Sequence, residues 1–248
     1  MIRVIVAGST GRVGRVMVSG LADYPDVRVV GGFGRANALN ELKRLAPEGD
    51  VLVDFTTGAA APDLLCAAAG YGLHVVSGTS GLSQDALHRV DAALHQHQRG
   101  GVWAANFAIG GALMMYFARV AARFMDGAEV IELHHDKKVD APSGTAIQTA
   151  RDIRATRDGD LPDPRVERWT LEGSRGAVQG GVRIHSVRLP GFNAHQEVLF
   201  GSVGQILSIR HDALGREAYL PGVALALREV PKRVGLITGL DTLMGLQS

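Results

Sequence analysis

Five short apolar runs within the first hundred or so residues, several of them separated by helical patterns, constrain the fold of this chain more than any other feature. Ile2–Ala7, Val27–Phe33, Val51–Phe55, Leu73–Ser77 and Val102–Ala105 are nearly continuous in apolar residues and rich in valine. Val13–Ala22, Ala60–Ala69 and Ser83–Gln98 carry helical spacing between them. A strand that is apolar on both faces needs cover on both. Intervening helices supply that cover and force parallel pairing through right-handed crossovers. The expectation is a doubly wound parallel sheet.

The pattern then changes. After a helix expected at Gly110–Met125 come a strand at Ala128–His135, a helix at Ser143–Thr156 and a loop-rich stretch at Gly159–Gly180. Val182–Leu189, His195–Gly201 and Gln205–His211 follow with short turns and no helix between, which predicts an antiparallel meander. A last helix is expected at Leu220–Arg228. The chain therefore reads as two domains, a parallel-sheet α/β one and an α+β one with a mostly antiparallel sheet. Its 248 residues suffice for both.

The first strand runs into Gly8, Ser9, Thr10, Gly11, Arg12, Val13 and Gly14, and then a helix. A G-x-x-G-x-x-G turn in that context lets backbone approach a pyrophosphate seated on the helix N-terminus, although glycines here also serve packing alone. The first domain thus reads as a Rossmann-type dinucleotide fold. The second run ends Phe33-Gly34-Arg35, without the acidic residue that would hold a ribose 2′-hydroxyl. Gly34 followed by Arg35 suits a 2′-phosphate, so NADPH is the preferred cofactor expected, with NADH second. Arg35 is one of 22 arginines and could also be an ordinary solvated side chain. Gly78, Thr79 and Ser80, and Ala104, Ala105, Asn106 and Phe107, leave the ends of expected parallel strands, where ligands bind in open α/β sheets.

The richest segment is Glu129 to Ala146, which reads EVIELHHDKKVDAPSGTA. Ser143 is a natural N-cap, and the N–H groups of Gly144 and Thr145 behind it face a potential anion. Two of only four lysines in the chain lie here, Lys137 and Lys138; a lysine in an arginine-rich protein suits proton transfer. A metal site is not expected, because His134 and His135 are neighbours on a strand and face opposite ways.

Glu129 to Ala146 resembles the signature E-x-x-E-x-H-H-x-x-K-x-D-A-P-S-G-T-A of bacterial dihydrodipicolinate reductase, also called 4-hydroxy-tetrahydrodipicolinate reductase. The resemblance extends along the chain through the glycine turn, Val53-Asp54-Phe55-Thr56, Gly78-Thr79, Asn106-Phe107-Ala108-Ile109-Gly110 and His195-Gln196-Glu197-Val198. It implies hydride transfer from NAD(P)H to C4 of a cyclic imine dicarboxylate, after loss of the 4-hydroxyl as water, in diaminopimelate and lysine biosynthesis. It implies His134 as proton donor or acceptor, Lys138 as a second donor, and His135, Gly144 and Thr145 as carboxylate ligands. The cofactor contacts that it implies fall on Gly8 to Val13, Gly78 to Ser80 and Ala104 to Phe107, beside Gly34 and Arg35 as read above from the end of the second strand. It also implies a homotetramer joined through second-domain sheets, and a last helix that returns to the first domain. Residues 1–106 with 215–248 would then bind dinucleotide, and residues 107–214 substrate. Two positions depart from the family: Gly34 stands where many members are acidic, and Ser80 where threonine is usual.

Composition narrows the alternatives. Twenty-six basic against 25 acidic residues give a net charge of +1, with no field to draw nucleic acid or an anionic membrane. One cysteine, Cys66, excludes an intrachain disulfide and fits a reducing compartment. Gly100–Ala118 lacks charge over 19 residues, but Asn106 and four glycines predict a break rather than a membrane span. Met1–Gly8 lacks the layout of a signal peptide, so the chain reads as cytoplasmic. Another two-domain nicotinamide dehydrogenase, or a non-catalytic dinucleotide sensor, would share the fold without needing His134, Lys138 and the Ser-Gly-Thr helix start.

Overall fold

The fold comes from a computed structural model that describes residues 1–162, 164 and 167–246. The chain begins with β1 (Ile2–Ala7), α1 (Arg12–Gly20), β2 (Val27–Phe33), α2 (Ala38–Leu45), β3 (Val51–Asp54), α3 (Ala61–Gly70), β4 (His74–Ser77), α4 (Gln84–Gln96) and β5 (Gly100–Trp103). It continues with α5 (Ile109–Ala122), β6 (Gly127–His134), α6 (Gly144–Ala155), β7 (Ala177–Gln179), β8 (Val182–Arg188), β9 (Ala194–Ser202) and β10 (Gln205–Ala213). It closes with α7 (Leu220–Glu229), β11 (Gly235–Thr238) and α8 (Leu240–Leu243). Contacts divide it into two compact units: Met1–Ile109 with Arg216–Ser248, and Gly110–Gly215.

Unit 1 holds a six-stranded parallel sheet in the order β11-β5-β4-β3-β1-β2. Val4, Ile5, Val6, Val51, Leu52, Val53, Val75, Val76 and Val102 are fully buried, as strands covered on both faces must be. The chain steps from β1 outward to β2 and then back to β3 on the other side of β1. That reversal opens a crevice at the carboxyl ends of β1 and β3.

Three elements of unit 1, α2, β11 and the single-turn helix α8, have no counterpart in the sequence reading. The short helix α2 buries only Leu42 and Leu45, too brief a stripe for periodicity to register. β11 lies in what reads as a tail, and becomes a strand by pairing Gly235–Thr238 with Gly100–Trp103. β5 itself starts at Gly100 rather than Val102. A Cβ at Gly100 would lie 2.1 Å from the Val230 carbonyl oxygen, so glycine here admits a close backbone approach rather than ending the strand.

Unit 2 holds a five-stranded mixed sheet in the order β10-β9-β6-β8-β7. The expected meander holds only for β9 and β10, which pair antiparallel. β8 and β9 are not neighbours, because β6 lies between them, parallel to β8 and antiparallel to β9. The reason is α6: a helix between β6 and β8 returns the chain beside β6 in the same direction. Ala128, Val130, Val198, Phe200, Val182 and Ile184 form the covered face, packed with Ala146, Ala150 and Ile153 of α6. The expected loop at Gly159–Gly180 contains β7, and its residues 163, 165 and 166 lie outside the described residues. The uncharged run Gly100–Ala118 divides into β5 and α5, and among the described residues no helix is long and apolar enough to cross a membrane.

Candidate active site

In unit 1 the strand ends align in register. Ala7 is opposite Asp54, Asp54 opposite Ser77 and Ser77 opposite Trp103, so the loops that follow leave from one edge. Gly8 has φ +77°, and a Cβ there would lie 2.4 Å from the Phe55 carbonyl oxygen. A Cβ at Gly14 would lie 2.0 Å from the Gly8 carbonyl oxygen. Side chains are excluded at both positions, which brings the turn tight against the start of α1. Gly11 caps α1 with no side-chain bond, and its first turn has no acidic residue. Those first N–H groups lack intrahelical acceptors and sit at the positive end of the helix dipole. This cradle fits a dinucleotide pyrophosphate.

The remaining cofactor candidates divide by exposure. Arg12, Arg35, Ser80 and Ala105 are exposed, and Ser9, Val13, Gly34, Gly78 and Asn106 are partly so. Thr79 is buried, and its hydroxyl donates to Asp54 Oδ2 at 2.9 Å. Asp54 also accepts from Ser77 Oγ at 2.7 Å and Thr56 Oγ1 at 2.6 Å, pinning two loops to one buried carboxyl group. Phe107 is buried edge-on to Phe55, with ring centroids 6.2 Å apart, and Ala104 is buried too. Thr79 and Phe107 therefore offer a ligand backbone rather than side chains.

In unit 2 the candidates gather around a residue that sequence reasoning missed. Glu132 lies on the covered face of β6, two positions before His134 and on the same side. It is fully buried. Arg188 at the end of β8 holds it with two bonds of 2.8 Å, a bidentate guanidinium–carboxylate pair. The Ser143 N–H donates to Glu132 Oε1 at 3.2 Å, and His134 Nδ1 bonds Glu132 Oε2. Burial by itself would raise the Glu132 carboxyl, but hydrogen bonds from His134, Arg188 and Ser186 outweigh it and hold it at about 2. An ionised carboxylate has no proton to give, so His134 Nδ1–H is the donor and Nε2 is left for other work.

Arg188 also donates to the Asp140 carbonyl at 2.8 Å, and the Asp140 carboxylate receives Lys138 Nζ with both oxygens at 2.7 Å. The Lys138 hydrogen bond keeps the Asp140 carboxyl below its ordinary range. His134 and Lys138 are thus linked through Glu132, Arg188 and Asp140. His135 Nδ1 is buried with no partner, a polar atom awaiting one. The Ser143 hydroxyl accepts from Ala146 N at 3.2 Å, which leaves the Gly144 and Thr145 N–H groups without intrahelical acceptors. A signal for Glu132 did exist in the sequence: an acidic residue in phase with Ala128 and Val130 must be buried and therefore paired. Arg188, far along the chain, carried none.

Residues 2–107 match the family described as dihydrodipicolinate reductase, N-terminus, and residues 110–244 match dihydrodipicolinate reductase, C-terminus. The chain is 43% identical to 4-hydroxy-tetrahydrodipicolinate reductase of Moorella thermoacetica, over 98% of each chain. It is 43% identical to that of Mycolicibacterium vanbaalenii, over 99% of this chain and 100% of the relative. A solved structure, dipicolinate-bound dihydrodipicolinate reductase from Paenisporosarcina sp. TG-14, superposes with a TM-score of 0.88 at 34% identity, covering 98% of this chain and 99% of that one.

Proposed function

This chain belongs to the dihydrodipicolinate reductase family, and we propose that unit 1 holds the reduced cofactor while unit 2 binds and protonates the ring. The enzyme is a reductase of the diaminopimelate and lysine pathway, acting on the cyclic imine dicarboxylate that 4-hydroxy-tetrahydrodipicolinate yields by loss of water. A bound reduced nicotinamide supplies the hydride for C4. As that electron pair arrives, the ring must take up a proton to become tetrahydrodipicolinate. Lys138 Nζ is one donor, and His134 Nε2 is the other when the ring carries a second proton there, its Nδ1–H being held by Glu132. His135 and the open N–H groups of Gly144 and Thr145 hold the carboxylates, a task that a helix N-terminus performs well. The observation that carries this reading is the hydrogen-bonded run from Lys138 through Asp140, Arg188 and Glu132 to His134, beside that helix start. Oxidation of NADPH on addition of freshly generated substrate tests it, and a protein that binds cofactor without turnover would overturn it.

We assign NADPH as the preferred cofactor. A Cβ at position 34 would lie 2.8 Å from Thr10 Oγ1, so Gly34 leaves this loop free of the acidic side chain that would accept from a ribose hydroxyl and repel a phosphate. Arg35 and Arg12 are exposed beside it in sequence and at the glycine turn. A charge-assisted bond contributes roughly 1.5–3 kcal/mol when well placed. Solvent screening removes part of this, and a preference of about tenfold, or ~1.4 kcal/mol, is expected. Competition titrations should show Arg35→Ala weakening NADPH more than NADH. Equal affinities in the parent protein would refute the assignment.

We also propose a homotetramer. β10 is an edge strand, and Val203 in the turn before it and Ile206 and Leu207 at its start expose 98%, 81% and 40% of their surface. An open edge with apolar side chains invites pairing. Light scattering at micromolar concentration should give four times the chain mass in closed symmetry; a monomer mass would exclude it. We place the chain in the cytoplasm, where Cys66 stays reduced.

A further inference from the structure

We infer that Glu132 is the positioning residue of this site: it fixes which nitrogen of His134 carries the proton and locks that ring to the start of α6. The inference rests on the reading of His134 as a proton donor, and it concerns how that donor is prepared.

Three separate segments converge on one carboxylate. His134 reaches it from the same strand, Arg188 from β8 and the Ser143 N–H from the first residue before α6. Each contact donates, and the carboxylate accepts them all. A merely structural ion pair would need only Arg188. The bond to His134 does more, because a ring held by Nδ1–H to a carboxylate has its Nε2 turned away from that carboxylate, with the tautomer of the neutral ring decided. The bond to Ser143 N makes the same carboxylate the datum for the helix start that carries Gly144 and Thr145. Proton donor and anion site are thereby held in fixed relation through a single side chain, which suits a reaction whose rate depends on small errors of placement.

A residue that acts through another shows it by non-additivity. Glu132→Gln keeps the volume and loses the charge. In the otherwise unaltered enzyme we expect it to lower kcat about tenfold or more, with KM for the substrate changed less than about threefold. In the His134→Ala background the same substitution should cost nothing further in kcat. An equal loss in both backgrounds overturns the inference while leaving His134 a donor. Near-normal turnover of His134→Ala alone overturns the reading beneath it. Nitrogen-detected NMR of the unaltered protein gives a second measurement that needs no variant to fold. It should find neutral His134 protonated at Nδ1, with that proton far downfield. Protonation at Nε2 instead would refute the assignment outright.

Discussion

His134→Ala and Lys138→Ala are each expected to lower kcat by a factor of ~10²–10⁴, or about 3–5 kcal/mol of barrier, the usual contribution of a positioned general acid. Both proteins should remain folded. Removing the His134 ring leaves Glu132 with Arg188 and the Ser143 N–H, so no buried charge is orphaned. Removing Lys138 leaves Asp140, whose side chain is 59% exposed and can be hydrated. Thr145→Val provides the contrast: it perturbs a carboxylate contact present before and during reaction, and should mainly raise KM. Steady-state kinetics at saturating cofactor distinguish the cases. Near-normal turnover in either alanine variant would remove that residue from the proposed chemistry.

Arg188→Met is expected to cost about 3–5 kcal/mol of folding stability, because it strips a buried carboxylate of its paired charge. Denaturant titration at neutral pH measures this. The sign of the pH dependence follows from the depressed Glu132 carboxyl. Its ionised form is favoured in the folded protein, at about 2 against an ordinary 4.5. The stabilisation is therefore complete above pH 4.5 and is lost as pH falls toward 2. The Arg188→Met protein should forfeit most of that acid-side dependence, since protonating Glu132 then relieves an unpaired charge. A variant as stable as the parent at pH 7 would show that the guanidinium does not hold the carboxylate in solution.

The two kinds of unit were legible because burial leaves its mark on sequence. Val4 to Val6, Val51 to Val53 and Val75 with Val76 are apolar on both faces and could only be interior strands. Ser143 announced a helix start and does cap it, and Ser83, where a helical run was expected to begin, caps α4. What escaped was long-range. Nothing local in Val182–Arg188 states that its neighbour is β6 rather than β9; α6 decides that through handedness. Gly235–Thr238 is a strand only because β5 is there to pair with it. In the candidate site, the histidines and Lys138 stood out by residue type, whereas Arg188 acquires meaning only when β8 is laid against β6. Asp54 was visible within a motif, but its hold on Ser77 and Thr79 depends on the register of three strands.

Chain order has a consequence for synthesis on the ribosome. Unit 2 is one continuous segment, and every strand of its sheet has been made by Ala213. Unit 1 must wait, because α7 and β11 follow Gly215. Until they emerge, the Gly100–Trp103 strand is an uncovered edge of apolar character, and the carbonyl of Phe107 lacks the close approach of Gly222. At ~5–20 residues per second, the stretch from Trp103 to Thr238 takes roughly 7–27 seconds to make. The nascent protein is therefore expected to finish its later-starting half first, and to be most open to strand-edge aggregation in the interval before its last turn of translation is complete.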